Sequence, residues 1–257
     1  SGPLPADGYS DLARYAQLGD VTGDGVLDLV YERKDLLGRV GPSGILVHPG
    51  LGDGRFGAGL FLDTNGMVQG FVLGDGDGDG DEDLLVYHSN TGTDSQSTLV
   101  WWRLEGASFL PGAALTVSAQ RPLRVLCGDL DGDGVADALA GTFEGFDELL
   151  LFHTANRALT LVGTLPLAGE LHDINQRQFL ADLDGDGDQD ILVNFQDVLG
   201  TDNLYLQTFT NTPAGWQPGE VQAVADSPVE PVLARDGVLA DWDADGDADL
   251  LLLCVGD

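Results

Sequence analysis

Basic residues are scarce in this chain: 11 Lys and Arg stand against 43 Asp and Glu, a formal net charge of −32. A nucleic-acid binder needs a basic footprint to neutralise phosphates, so that class is excluded. Attraction to an anionic membrane surface fails for the same reason. Cysteine is reduced to two residues, too few for a disulfide framework. Long apolar runs are missing as well; residues 250–255 form the longest, far short of the ~20 that a membrane span requires, so no membrane insertion is expected. Glutamate is rare, 8 residues against 35 Asp, while glycine reaches 37. Helices favour Glu and penalise Gly and Asp, so the mixture argues for strands and turns. What is present is an apolar fraction of 43% over 257 residues, enough for the core of one large domain or two small ones.

The acid is periodic. It gathers in five loops, residues 20–28, 75–83, 129–137, 182–190 and 241–249, whose leading aspartates lie 55, 54, 53 and 59 residues apart. Together the loops hold 23 of the 43 acids, where a solvated face would scatter them. The flanks repeat too. Leu18, Leu73, Cys127, Leu180 and Leu239 stand two residues before the leading aspartates, and Gly19, Gly74, Gly128, Ala181 and Ala240 one residue before. After each loop comes a near-continuous apolar run (29–31, 84–86, 138–140, 191–193, 250–252), which reads as a strand buried on both faces. In the first four units a third apolar run follows (45–48, 99–103, 149–153, 204–209), then a turn and a fourth strand opening on Phe56, Phe109, Leu159 or Trp216. Four-stranded units of this length that cannot bury both faces alone are expected to be blades of an all-β propeller. On this reading residues 1–257 form a single domain of antiparallel blades, five repeats with the fifth incomplete. Residues 8–12 could add at most one short strand to that blade, so either the protein is expected to continue or a neighbouring chain or domain is expected to cover its edge.

Within each loop the spacing is fixed. Position 1 is Asp20, Asp75, Asp129, Asp182 and Asp241; position 3 is Thr22, Asp77, Asp131, Asp184 and Asp243. Position 5 is Asp24, Asp79, Asp133, Asp186 and Asp245; position 9 is Asp28, Asp83, Asp137, Asp190 and Asp249. Position 6 is always glycine, which permits the sharp turn that lets alternate carboxylates converge. Convergence costs like-charge repulsion, and a hard cation with many oxygen ligands relieves it; Ca2+ fits best, at about five sites. Position 7 is Val26, Asp81, Val135, Asp188 and Asp247, so it is expected to ligate through its backbone carbonyl. An EF-hand is excluded. It needs Glu at position 12, where Tyr31, Val86, Ala140, Val193 and Leu252 stand, and helices rather than strands on both sides.

These loops resemble the FG-GAP and VCBS-type repeats of integrin α-subunit propellers and many bacterial surface proteins, whose calcium loop reads D-x-[DN]-x-D-G-x-x-D. Four loops match it fully and the first departs at Thr22, so the first site is expected to be the weakest. Phe56-Gly57 is similar to the Phe-Gly start of those repeats, and the absent Gly-Ala-Pro segment points to the bacterial branch. The resemblance implies a calcium-stabilised, extracellular or cell-surface module that binds protein or glycan. A polysaccharide-lyase-like enzyme and a structural subunit of a surface assembly are the alternatives. No catalytic constellation is legible, so an enzyme is not expected.

The remaining polar and aromatic residues read as structural. His48, His88, His153 and His172 fall at different repeat offsets and read as surface or strand-end histidines. Trp101 and Trp102 occupy successive strand positions, so one ring faces each side of the sheet and both are expected between blades. Trp242, at loop position 2 beside Val21, Leu130 and Leu183, is expected in the core, and Cys127 and Cys254 as buried free thiols. The longer connections, 32–44, 88–98, 194–203, 166–176 and 224–236, emerge opposite the calcium loops and are where a ligand is expected to bind.

Overall fold

The computed structural model describes residues 16–33, 44–64, 67–89, 97–117, 122–142, 148–167, 177–196, 204–223, 233–243 and 249–255. Among these there is no helix, and none long and apolar enough to cross a membrane. The first sheet is an antiparallel meander of β1 (Ala16–Gly19), β2 (Asp28–Arg33), β3 (Gly44–His48) and β4 (Leu60–Asp63). The second comprises β5 (Met67–Gly74), β6 (Asp83–Ser89), β7 (Ser97–Glu105) and β8 (Ser108–Pro111), with β9 (Leu115–Val117) also paired to β7. The third holds β10 (Pro122–Gly128), β11 (Asp137–Thr142), β12 (Glu148–Ala155) and β13 (Ala158–Pro166). In the fourth, β14 (Arg177–Ala181), β15 (Asp190–Gln196), β16 (Leu204–Thr210) and β17 (Gln217–Pro218) run in order, with β18 (Gln222–Ala223) also on β16. Finally β19 (Leu233–Ala240) pairs with β20 (Asp249–Val255).

One register recurs in all five sheets. The small residue before each loop pairs with the aspartate that ends it: Gly19 with Asp28, Gly74 with Asp83, Gly128 with Asp137, Ala181 with Asp190, Ala240 with Asp249. Each acidic loop is therefore the connection of a hairpin, closed at the same rung.

Strand alternation explains the continuous apolar runs, because successive residues serve different cores. Leu84 and Val86 pack with Val30, Ile45 and Val47 of the first sheet, whereas Leu85, Tyr87 and Trp101 pack with Ala138, Ala140 and Phe152 of the third. Leu139, Leu149 and Leu151 turn the other way, toward Ile191, Val193 and Phe209. Trp101 is fully buried and its Nε1–H donates to Thr154 Oγ1 at 3.3 Å; Trp102 packs on the opposite core, so both rings lie between sheets as expected.

The leading strands of successive sheets meet: β5 lies against β1 and β10, and β14 against β10 and β19. This contact accounts for the small residue before each loop. A Cβ on Gly74 would stand 2.8 Å from Cys127 Sγ and 2.9 Å from the Ala136 Cβ, and one on Gly19 would stand 2.7 Å from Leu73 Cδ1. The residue two before a loop thus presses on the glycine of the preceding sheet.

Some expectations are corrected. The fourth strand of the first sheet opens at Leu60 rather than Phe56. Residues 49–57 first fold into their own turn (Gly57 N–H to Pro49 O, Leu51 N–H to Arg55 O), leaving Phe56 only an isolated bridge to Gly50. The 250–252 run is not buried on both faces: Leu251 is 53% exposed, because among the described residues β20 pairs with β19 alone. Trp242 is not core either, at 62% exposed. Cys127 is free but only partly buried, its Sγ 2.8 Å from the Leu73 carbonyl it donates to; burial pushes its thiol up to about 12. The Cys254 side chain, His172, residues 8–12 and most of the long connections lie outside the described residues.

Candidate metal centres

Each loop winds around its first aspartate. Asp75 Oδ1 accepts from Gly78 N–H (2.6 Å) and Asp79 N–H (3.2 Å), and its Oδ2 from Gly80 N–H (2.9 Å). Asp129 does the same for its own loop, Asp20 accepts from positions 5 and 6, and Asp182 from positions 4 and 6. Such winding requires left-handed backbone at two positions. Position 6 meets that need as expected, with φ between 79° at Gly25 and 99° at Gly187. Position 4 does so as well, from 68° at Gly23 to 79° at Gly132 and Gly185. That second requirement was visible as a repeated glycine in four loops. Open space surrounds Gly185, so a Gly185→Ala change tests backbone strain alone. It is expected to cost about 1–2 kcal/mol, read from denaturant unfolding.

The position-5 carboxylate turns back on position 7, whose N–H donates to it in four loops: Val26 to Asp24, Asp81 to Asp79, Val135 to Asp133 and Asp188 to Asp186. The position-9 carboxylate ties the loop to the sheet. Asp28 Oδ2 accepts from Val21 and Thr22 N–H, both at 2.9 Å, while its Oδ1 accepts from Gly50 N–H at 2.8 Å. Asp190 repeats this with Leu183 and Asn211, and Asp137 accepts from Thr154 N–H at 2.7 Å. In the fifth loop Trp242 N–H donates to Asp249 at 3.0 Å, so position 2 keeps its backbone role while the ring stays outside. Neighbouring loops are stitched together: Glu82 N–H donates to Asp20 O at 2.9 Å, and Ala136 N–H to Asp75 O at 2.7 Å.

These bonds gather carboxylate oxygens within 4.8 Å of one another. Positions 1, 3 and 9 meet in three loops (Asp75, Asp77, Asp83; Asp182, Asp184, Asp190; Asp241, Asp243, Asp249). In the third loop Asp129, Asp131 and Asp133 meet, and Asp131 also joins Asp137 and His153. The first loop, with Thr22 at position 3, assembles no such trio among the described residues, and the buried Thr22 Oγ1 has no hydrogen-bond partner. Asp245 and Asp247 lie outside the described residues. The Asp81 side chain lies over Gly23 of the first loop.

The residues fit a hard cation. Asp77 Oδ1 and Asp83 Oδ2 are buried without a hydrogen-bond partner. Burial, with Asp77 repelling, pushes the Asp83 carboxyl up to about 7. Burial also raises Asp81, Glu82, Asp137 and Asp184, each with further acids adding to the effect. Without a cation, these groups resist ionising. Residues 75–140 match the FG-GAP-like repeat. The matched stretch runs from the second loop through the third and into β11. No curated protein matches the chain.

Within and around this FG-GAP-like repeat stand cations that the loop pattern does not reveal. Arg103 Nη1 lies 3.2 Å from Asp77 Oδ2 and 3.6 Å from Asp79 Oδ2; Arg157 Nε lies 3.4 Å from Asp77 Oδ2. Arg157 reaches across from the β12–β13 hairpin, where it and Asn156 adopt left-handed backbone (φ 59° and 50°). Its N–H donates to Gly76 O at 3.2 Å and its Nη1 to Leu110 O at 3.1 Å, pinning the third sheet to the second loop. An Arg157→Ala variant is therefore expected to melt earlier in chelator yet to bind calcium about tenfold more tightly at the second loop, ~1.4 kcal/mol, because a competing cation is gone. Calcium titration of the variant against the parent reads the sign.

His48 ends β3, a strand-end position as expected, but is buried there, stacked on Tyr31 with ring centroids 5.6 Å apart, and its Nδ1 lies 3.0 Å from Gly57 O. His153 Nδ1 lies 3.0 Å from Asp131 Oδ2 and 3.3 Å from Asp137 Oδ1. His88 is strand-end as expected, its pKa lowered by burial.

Proposed function

We propose that this chain is a calcium-stabilised β-propeller of FG-GAP/VCBS-type repeats, working outside the cell or on its surface as a non-catalytic module that binds protein or glycan. One observation carries the reading: five hairpin connections of identical register, at least three of which bring positions 1, 3 and 9 together at one end of adjoining sheets. The meeting of leading strands supports a radial arrangement of blades, with those strands nearest the axis. Side-chain oxygens at positions 1, 3, 5 and 9 and the position-7 carbonyl would hold the ion. When bound, calcium supplies charge neutralisation, which lets the carboxylates ionise where the fold places them.

Calcium is abundant outside cells, which suits sites built from exposed acidic loops. The connections on the opposite end vary in length and composition from unit to unit, which favours recognition there over the uniform calcium end. A glycan array and a screen on uronic-acid polymers, both in calcium, test the assignment. Saturable binding without turnover is expected; bond cleavage of any polymer would replace the binding module with an enzyme.

A further inference from the structure

The rung one step beyond the last paired residues places one strand-3 residue opposite position 9 in each complete sheet. Leu29 pairs with His48, Leu84 with Trp102, Ala138 with Phe152 and Ile191 with Phe209. The residues opposite Asp28, Asp83, Asp137 and Asp190 are therefore Pro49, Arg103, His153 and Thr210. This column differs in chemistry where the loops are alike. Pro49 offers no side-chain donor, Arg103 brings a competing cation, Thr210 a neutral hydroxyl, and His153 alone a nitrogen ligand.

His153 is placed as a ligand would be. Its Nδ1 is buried and lies 3.0 Å from Asp131 and 3.3 Å from Asp137, yet it forms a properly directed hydrogen bond with neither. The nitrogen is thus buried close to both carboxylates with no hydrogen bond to either. Asp137, whose side chain is only 4% exposed, is held by Thr154 N–H on Oδ1, so that carboxylate cannot swing away. The three ligand atoms come from two elements, the loop and β12, and lie within 4.8 Å of one another. Oxygen-only loops suit calcium, whereas an imidazole among carboxylates suits the first-row ions cobalt, nickel, copper and zinc.

We propose that the third loop, completed by His153, is a mixed nitrogen–oxygen site that prefers a divalent transition-metal ion to calcium. The inference rests on the metal reading of the loops and assigns this one a different occupant. It makes the five sites chemically unequal: the remaining loops respond to calcium, and the third to a softer ion.

Copper(II) serves as the probe. The intact chain is loaded with one equivalent and examined by EPR for imidazole nitrogen coupling, alongside His153→Asn and, as a control away from the loops, His88→Asn. Nitrogen coupling is expected in the parent and in His88→Asn, and its loss in His153→Asn. Cobalt(II) affinity is expected to fall by at least about tenfold in His153→Asn only, by analogy with the cost of disturbing metal-site histidines. The calcium-dependent rise in Tm is measured on the same variants. Its retention in His153→Asn shows that the fold is intact and the loss is local. Nitrogen coupling that persists in His153→Asn, or that is missing from the parent, overturns the proposal. A parent that shows the coupling but gains no stability from calcium overturns the calcium reading instead and leaves this site standing.

Discussion

Chelating calcium is expected to lower the Tm of this protein by more than any single substitution in it. The carboxylates of each loop converge only in the folded chain, where the first aspartate collects N–H donors from positions 4 to 6 and the last is clamped to the neighbouring strand. An ion that binds this arrangement and not the unfolded chain stabilises it by mass action, ~2.7 kcal/mol per site at a hundredfold excess over its dissociation constant. Several such sites together outweigh a typical core truncation of about 2–5 kcal/mol. For a chain of this size each kilocalorie moves Tm by roughly 2–4 °C, so a shift of about 20 °C or more is expected between calcium and chelator. The loops should empty in order. The first, with Thr22 at position 3 and no carboxylate trio, is expected to release its ion before the others during calcium titration. An unchanged Tm in excess chelator would remove calcium from the account altogether.

The strands and the five loops were legible because both follow strict periods. Repeated apolar runs and the 53-to-59-residue spacing of the acids placed the strands and the loops, and the small residue before each loop stands where the next sheet presses in. What the sequence hid were contacts between units. Arg157 lies outside every Asp loop, and only the β12–β13 hairpin, turned by Asn156 and Arg157 in left-handed backbone, carries it onto Asp77 of the preceding sheet. His153 looked isolated because its partners are 22 and 16 residues upstream, brought opposite it by the β11–β12 pairing. Trp242 misled for a simpler reason. The pattern at position 2 reflects a backbone bond to the last aspartate, which any side chain can accompany, and the core that receives Val21 and Leu130 has no counterpart over β19 and β20 among the described residues.

In chelator, the same protein is expected to lose stability as pH rises from about 4 to about 7, the reverse of ordinary acid denaturation. Carboxyls in the unfolded chain titrate near their ordinary values, around 4. In the metal-free fold Asp83 is held up to about 7, first by burial and then by repulsion from Asp77, with Arg157 opposing. Asp81, Glu82, Asp137 and Asp184 are raised in the same sense, each first by burial. Across the window between those values the folded chain therefore binds more protons than the unfolded one. Raising pH favours the state that holds fewer protons, so stability present near pH 4 drains away as pH climbs through about 7. Calcium is expected to invert the trend, because an ion that takes the ionised carboxylates gains advantage as they deprotonate. Melting curves across pH, with and without chelator, should cross rather than run parallel. Asp83→Asn isolates the main contributor: the amide mimics the protonated carboxyl, so the variant's chelator Tm at about pH 8 is expected to equal or exceed that of the parent while its calcium response at the second loop is lost. A chelator Tm that rises with pH, or an Asp83→Asn variant that is less stable than the parent there, would mean that buried acid is not what the ion relieves.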